Sequence, residues 1–145
     1  MKLIFLTTLL VIFGINTNAQ NSNLKGITVH ANKILYIEND EPKSRDTDQV
    51  FAVSFSDKIF THLIFSDGSI NNSQVYQIEN DKTLINDGNT IYKFEALSGI
   101  SGNKYFYEIK IDSDGSLLAL KITQPDNIDF SIYKGYSTDL KTFKQ

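Results

Sequence analysis

A tetrapeptide centred on Asp-Gly occurs three times in the chain and constrains its fold more than any other feature. It reads Ser-Asp-Gly-Ser at 66–69, Asn-Asp-Gly-Asn at 86–89 and Ser-Asp-Gly-Ser at 113–116, each time between apolar, β-favouring residues. Asp-Gly is the preferred pair for a two-residue turn with positive φ at both central positions, and the twist of such a turn matches that of a hairpin. The repeat therefore predicts three hairpins that join neighbouring antiparallel strands.

The segments around these turns alternate apolar and polar residues with a period of two. Tyr105, Tyr107, Ile109 and Ile111 share one face of an extended segment, for example. Half-apolar strands of this kind suit an antiparallel sheet with one buried face. We expect an all-β fold, an antiparallel meander of about 8–10 short strands that forms a barrel or a sandwich. The predicted strands are 26–30, 33–38, 49–56, 58–66, 74–79, 82–86, 90–96, 104–112, 116–123 and 127–134.

Two longer connections separate the predicted strands. The segment 39–48 is wholly polar apart from Pro42 and predicts an exposed, mobile loop. The segment 97–103 contains two glycines and the apolar Ile100, which indicates a wide turn or a lid over a cavity. Both prolines of the chain, Pro42 and Pro125, fall between predicted strands, as expected of a residue that lacks the backbone N–H.

The first nineteen residues have the order of a secretion signal. Lys2 supplies a positive charge, 3–13 is apolar except for two threonines, and a short polar stretch ends at Ala19. The apolar run of about eleven residues is shorter than the roughly 20 that a membrane-spanning helix needs. We expect cleavage between Ala19 and Gln20, a single β domain at 20–145, and a secreted or periplasmic location. The Ala-Gln junction and the Asn/Ile/Lys-rich composition resemble exported proteins of Bacteroidota, which implies a bacterial source.

Composition excludes several classes of partner and chemistry. The chain contains no cysteine, so we expect neither a lipoprotein anchor nor disulfides nor thiolate chemistry. It has 14 basic residues, one of them Lys2 of the signal, and 17 acidic residues. The mature chain is therefore acidic and has no basic stripe, which predicts no nucleic-acid partner. After signal removal no segment predicts a membrane span.

Motifs for metal binding are incomplete. Asp112-Ser113-Asp114-Gly115 matches the opening of a calcium loop, but no Glu follows at the closing position. His30 and His62 are the only histidines, whereas a zinc site needs three or four ligands. Two single histidines on different strands are typical of ordinary strand residues. We expect no metal and no other cofactor.

Motifs for catalysis are also absent. Gly99-Ile100-Ser101-Gly102 lacks the spacing of a nucleophile elbow, and no glycine-rich nucleotide loop is present. The acidic residues of the Asp-Gly tetrapeptides are explained by their turns. We expect no catalytic residues, and a hydrolase with two converging carboxylates is a weaker alternative to a non-catalytic module.

Aromatic residues supply the candidates for ligand binding. In Tyr105-Phe106-Tyr107, successive rings occupy both faces of one strand, so at least one ring leaves the main core. These three residues and Ile100 in the adjacent connection are the candidate ligand-binding residues. Aromatic rings on a strand also pack in protein cores, and we expect most aromatic residues of the chain to do so.

The predicted meander resembles the up-and-down barrels that include lipocalin-like and fatty-acid-binding proteins. The resemblance covers the strand pattern only, because the Gly-x-Trp motif of lipocalins is absent from a chain without tryptophan. It implies an exported module that carries one small apolar ligand inside a barrel. The alternative is a secreted protein-interaction or adhesion module that uses an exposed sheet face or edge strand. An internal cavity favours the carrier, and an external aromatic patch around Phe106 favours the interaction module.

Overall fold

The computed structural model describes residues 26–139, with side chains to residue 137. The predicted signal at 1–19 and the cleavage site between Ala19 and Gln20 lie outside the described residues. The described chain forms eight strands, each antiparallel to the next, and β1 also pairs with β8 to close a barrel. The expected all-β meander is confirmed, as a barrel. The strands are β1 Gly26–Glu38, β2 Glu41–Ser54, β3 Ile59–Ser66, β4 Ser69–Asn86, β5 Asn89–Ser98, β6 Lys104–Ile111, β7 Leu117–Thr123 and β8 Phe130–Asp139.

Two local irregularities explain why eight strands replace the ten predicted from the sequence. The register of β1 shifts between Ala31 and Lys33, so the predicted strands 26–30 and 33–38 form one strand. The register of β4 shifts between Glu79 and Lys82, where Asn80 has a φ of 49°. A bulge bends a strand and increases its twist without ending it. Long strands can therefore curve around the barrel through positions that resemble turns in the sequence.

The prediction of a loop at 39–48 is wrong. Asn39 and Asp40, with φ of 53° and 62°, form the whole turn, and β2 begins at Glu41. Asn and Asp tolerate the left-handed region better than most residues. The side chains that suggested a loop are mostly exposed on a strand that extends beyond the barrel wall, and Lys43 forms an ion pair with Glu38 across the hairpin.

The three Asp-Gly tetrapeptides all join neighbouring strands, as predicted, but one uses a longer turn. Asp67 and Asp87 have φ of 52° and 50°, and the glycine after each also has positive φ. At the third site only Gly115 is left-handed, with φ of 88°. Its N–H donates to the Asp112 carbonyl over 3.0 Å, and the Asp112 N–H donates to the Ser116 carbonyl over 2.8 Å. This hairpin has the form of a type I turn followed by a bulge.

The barrel has two chemically different ends. We call the end that carries the turns at 39–40, 67–68, 99–103 and 124–129 the upper end, and the opposite end the lower end. Apolar side chains such as Val53, Phe94 and Ile109 fill the lower half. Phe60 lies at the boundary, with its ring centroid 5.8 Å from that of Phe94 and 4.7 Å from that of Tyr107. No helix in residues 26–139 is long and apolar enough to span a membrane.

Candidate ligand-binding site

The interior of the upper half is polar and aromatic rather than aliphatic. Alternation along each strand directs one residue in two into the barrel, and several of these inward positions carry hydroxyl, amide or imidazole groups. They surround a recess of about 190 Å³. The recess is lined by His62, Gln74, Tyr76, Tyr105, Tyr107, Ile122, Gln124, Ser131 and Tyr133.

His62 lies on the wall of the recess and is 9% exposed. Its Nε2 lies 2.6 Å from Oε1 of Gln49, whose Nε2 donates to the Thr47 hydroxyl over 2.7 Å. The imidazole stacks on Phe51 with centroids 4.2 Å apart. Burial lowers the pKa of His62 to about 4, because removal from water disfavours the charged form. The side chain is therefore neutral at pH 7 and donates its Nε2–H to Gln49.

The hydroxyls of Tyr76, Tyr107 and Tyr133 stay protonated over the physiological range. Burial raises the pKa of Tyr107, and the neighbouring Tyr76 hydroxyl adds to the effect. Burial likewise raises the pKa of Tyr76 and of Tyr133, although the charge of Arg45 opposes the increase at Tyr133. The Tyr76 hydroxyl donates to Oε1 of Gln74. A protonated hydroxyl both donates and accepts, so these groups suit a ligand with either kind of polar atom.

A larger groove lies beside the recess at the same end of the barrel. It measures about 660 Å³ and runs between the β1–β2 hairpin and the connection 124–129. Gln124, Ser131 and Tyr133 line both spaces, so the groove and the recess form one site. The groove is lined by Ile34, Tyr36, Ile37, Glu38, Asp40, Arg45, Gln124, Ile128, Asp129, Phe130, Ser131 and Tyr133.

Local hydrogen bonds hold the rim of this groove in place. The Gln124 N–H donates to the Asp129 carbonyl over 2.8 Å, and the Asp126 carboxylate accepts from the N–H groups of Ile128 and Asp129 over 2.9 and 3.1 Å. On the opposite wall, the Arg45 guanidinium lies 5.9 Å from the centroid of the Tyr36 ring. The rim therefore presents carboxylates and one guanidinium, which form stronger hydrogen bonds to a ligand than neutral groups do.

The structure separates the four candidate residues that the sequence analysis selected. Tyr105 and Tyr107 point inward and line the recess. Phe106 points outward, as the alternation requires, and lines a separate groove of about 520 Å³ among charged side chains such as Lys93 and Lys121. Ile100 is 82% exposed at the tip of the β5–β6 turn and does not line the recess.

Sequence reasoning missed His62, Gln74, Gln124 and Ser131. These residues lie far apart in the chain and meet only when the strands close into a barrel. A signal was nevertheless present for three of them. His62 is in phase with the buried Phe60, Gln74 with Tyr76, and Ser131 with Tyr133. A polar residue in an inward phase marks a polar site in the interior.

The motifs considered for metal binding have structural roles. The carboxylate of Asp112 accepts from the Ser113 N–H over 2.6 Å, and that of Asp114 accepts from the Ser116 N–H over 2.8 Å, so both acids brace their own turn. His30 stacks on Tyr136, with ring centroids 4.6 Å apart. Within residues 26–139, no three His, Cys, Asp or Glu side chains are grouped closely enough to hold a metal ion.

No protein-family model, curated protein or solved structure matches this chain. What the structure shows is the architecture, a closed barrel of eight antiparallel strands. Topology alone does not assign a function, since one fold hosts many unrelated sites. A function must therefore be inferred from the geometry and chemistry of the upper end.

Proposed function

We propose that the protein is an exported, non-catalytic binding module that takes a small, neutral molecule rich in hydroxyl or amide groups at the upper end of the barrel. A mono- or disaccharide represents this class. The observation that supports the proposal is the shared wall of Gln124, Ser131 and Tyr133, which joins a groove of about 660 Å³ to a polar recess of about 190 Å³. A groove of this size is typical of small-molecule sites, which are common in the mouths of barrels.

The polarity of the recess argues against a wholly apolar ligand. Such a ligand would cover the amide of Gln124 and the hydroxyls of Ser131 and Tyr133 without bonding to them. Each buried polar group left without a partner costs about 1–3 kcal/mol. A fatty acid would also need space in the lower half, which aliphatic and aromatic side chains fill. A polar ligand instead offers hydrogen-bond partners to these groups.

The groove adds the features that recognise a ring bearing hydroxyls. The rings of Tyr36 and Tyr133 offer flat apolar faces, while Asp40, Asp129 and Arg45 offer charged hydrogen-bonding groups at the rim. Tyrosine combines an apolar body with a polar tip and so suits a ligand that has both kinds of surface. The recess itself is lined by neutral groups, which favours an uncharged portion of the ligand there.

Tyrosine fluorescence tests this proposal directly. The chain has no tryptophan, and five of its seven tyrosines line the groove or the recess, namely Tyr36, Tyr76, Tyr105, Tyr107 and Tyr133. The chain 20–145 is titrated with a panel of mono- and disaccharides and, separately, with a long-chain fatty acid. We expect a saturable change with a saccharide, confirmed by calorimetry. Saturable binding of the fatty acid alone would overturn the polar ligand class.

A pair of conservative variants on β8 localises the binding. Tyr133→Phe keeps the ring and removes the hydroxyl in the recess, whereas Tyr136→Phe removes a hydroxyl on the exposed side of the same strand. We expect the first variant to bind about tenfold more weakly, since a lost hydrogen bond costs about 0.5–1.5 kcal/mol. The second variant should bind like the wild type. Equal affinities for both would place the ligand elsewhere.

The export part of the proposal has its own test. If the first nineteen residues are a signal, the protein recovered outside the cytoplasm begins at Gln20. Intact-mass spectrometry of the protein from its own cells measures this start. A full-length mass beginning at Met1 in the exported fraction would contradict cleavage after Ala19, and retention of the whole chain in the cytoplasm would contradict export.

A second candidate function, protein–protein interaction, is favoured by the outward position of Phe106. Its ring lies in the groove of about 520 Å³ that also includes Asp81, Glu95 and Lys121. A partner with complementary charges could bury this ring. Phe106→Ser distinguishes the two functions. Saccharide binding is unchanged in this variant if the first function holds, whereas loss of cross-linking to a partner protein in the native cells supports the second.

A further inference from the structure

Several strand segments of the described chain pair with a neighbour on one side only, and 41–46 of β2 and 82–86 of β4 are two of them. Residues 41–46 of β2 pair with β1, and pairing of β2 with β3 starts only at Gln49. Residues 82–86 of β4 pair with β5, whereas β3 reaches no further along β4 than Gln77. A free edge presents N–H and C=O groups that can pair with another strand.

The two free edges differ in how they are protected. The β2 edge contains Pro42 and a charged residue at most of its other positions. Proline and charge are the usual devices that prevent pairing at an exposed edge. The β4 edge reads Lys-Thr-Leu-Ile-Asn, and its Leu84 and Ile85 are 42% and 56% exposed. One molecule thus protects one edge and leaves a β-favouring, apolar edge open.

The hairpin geometry shows which backbone groups of this edge are available. Asn86 and Asn89 flank the two-residue turn at Asp87 and Gly88, so they form the hydrogen-bonded pair next to it. Hydrogen-bonded and non-hydrogen-bonded positions alternate along an antiparallel pair. Thr83 and Ile85 therefore direct their N–H and C=O groups away from β5, toward the free edge.

We propose that two copies of this chain pair through the β4 edge, antiparallel and about a twofold axis at Leu84. Thr83 then exchanges backbone hydrogen bonds with Ile85 of the partner subunit, and Leu84 packs against Leu84 of the partner subunit. The charged side chains favour the antiparallel direction. Lys82 comes opposite Asn86 of the partner subunit and next to Asp87 of the partner subunit, whereas a parallel arrangement would place the two lysines side by side.

This pairing is independent of the proposed ligand site. The β4–β5 turn lies at the lower end of the barrel, and the groove and recess lie at the upper end. The paired segment is short, so the interface is smaller than that of a stable complex. We expect a reversible dimer with a Kd on the order of 10–100 µM.

Sedimentation velocity tests the proposal with a matched pair of variants. Ile85→Lys places a charge on the free edge, whereas Ile59→Lys makes the same change on β3 at a site of similar exposure, 47% against 56%. Ile59 is paired with Ser54 of β2 and with Gln77 of β4, so it has no free edge. We expect Ile85→Lys to weaken the dimer at least tenfold and Ile59→Lys to leave it unchanged. A protein that stays monomeric up to near-millimolar concentration, or equal effects of the two variants, would overturn the proposal.

Hydrogen exchange of the unmodified protein provides a test that no folding defect can obscure. Raising the concentration from low micromolar to near-millimolar should slow exchange of the Thr83 and Ile85 amides at least fivefold. The Leu84 amide is paired with β5 in the monomer and should change little. Dimerisation that leaves the exchange of Thr83 and Ile85 unaltered would show that the copies meet at another surface.

Discussion

At the scale of single residues, His62 links the stability of the fold to pH. Its pKa is about 4 in the barrel and 6.5 for the unperturbed group. Below about pH 6.5 the unfolded chain binds a proton that the folded chain does not, so stability falls as the pH decreases toward 4 and is fully present above 6.5. The resulting loss of unfolding free energy is about 3 kcal/mol. Urea unfolding between pH 7 and pH 4.5 measures it.

Matched variants separate this contribution from the titration of carboxylates. His62→Gln keeps a hydrogen-bonding side chain next to Gln49 and removes the titrating group, so the stability of this variant should depend less on pH than that of the wild type. His30→Gln changes a histidine that stacks on Tyr136 outside the recess and should retain the wild-type pH dependence. Identical pH profiles for the wild type and His62→Gln would show that His62 does not limit acid stability.

The residues of the site also show how far a sequence can predict a cavity. Tyr105 and Tyr107 are identifiable because adjacent aromatic residues on one strand must divide between two faces. Gln124 has no local feature that distinguishes it from a surface residue, and Ser131 is marked only by its shared phase with Tyr133. Their position depends on closure between β8 and β1, which brings the last strand beside the first. Contacts between strands so far apart in the chain are not encoded in any single segment.

At the scale of strands, the sequence predicts which residues alternate between faces and where the Asp-Gly turns lie better than it predicts where each strand begins and ends. The Asp-Gly repeat correctly locates three hairpins. The Asn39-Asp40 turn was missed because the charged residues after it indicated a loop, yet a strand that extends past the barrel wall can be polar on both faces. The irregular positions near Asn32 and Asn80 fall in gaps between predicted strands, since a bulge and a turn favour the same residue types.

At Gly135, where β8 closes the barrel against β1, the neighbouring backbone leaves no room for a side chain. A Cβ added at Gly135 on β8 would lie 1.8 Å from the His30 carbonyl oxygen and 2.8 Å from its carbon. Both atoms belong to the β1 backbone, so the clash can be relieved only by separating β1 from β8. We expect Gly135→Ala to destabilise the protein by at least about 2 kcal/mol. Urea unfolding followed by circular dichroism measures the change.

Gly99→Ala is the control for this substitution. A Cβ at Gly99 would meet its nearest neighbour, the Val75 carbonyl oxygen, at 3.6 Å, which is an ordinary contact. Replacing glycine by alanine at a compatible position reduces the freedom of the unfolded chain and is neutral or slightly stabilising. Equal stability of the two variants would show that β1 and β8 can separate without loss of stability. Gly135 would then not be required for barrel closure.

At the scale of the whole molecule, the two halves of the barrel differ in chemistry, and under the proposed function they divide stability and binding between them. The lower half contains interlocked apolar side chains, and the upper half contains hydroxyl, amide and imidazole groups around open space. Filling the upper half with aliphatic residues would stabilise the chain further, since polar groups at a binding site generally reduce stability. The chain has no disulfide and no metal group in its described part to compensate, so the lower half supplies most of the stability.

This division predicts opposite effects for substitutions in the two halves. Ile109→Ala removes a fully buried side chain from the lower half and should cost about 2–5 kcal/mol of unfolding free energy. Its ligand affinity at low temperature should stay within about twofold of the wild type, because the cavity forms in the apolar layer below Tyr107 and removes none of the polar groups of the recess. Tyr133→Phe keeps the ring against Phe51, with centroids 4.9 Å apart, and should change stability by less than about 1 kcal/mol while it weakens binding. Urea unfolding and tyrosine fluorescence titration of both variants give the four values. If Ile109→Ala weakened binding as much as Tyr133→Phe, the two halves would be coupled and the division would be wrong.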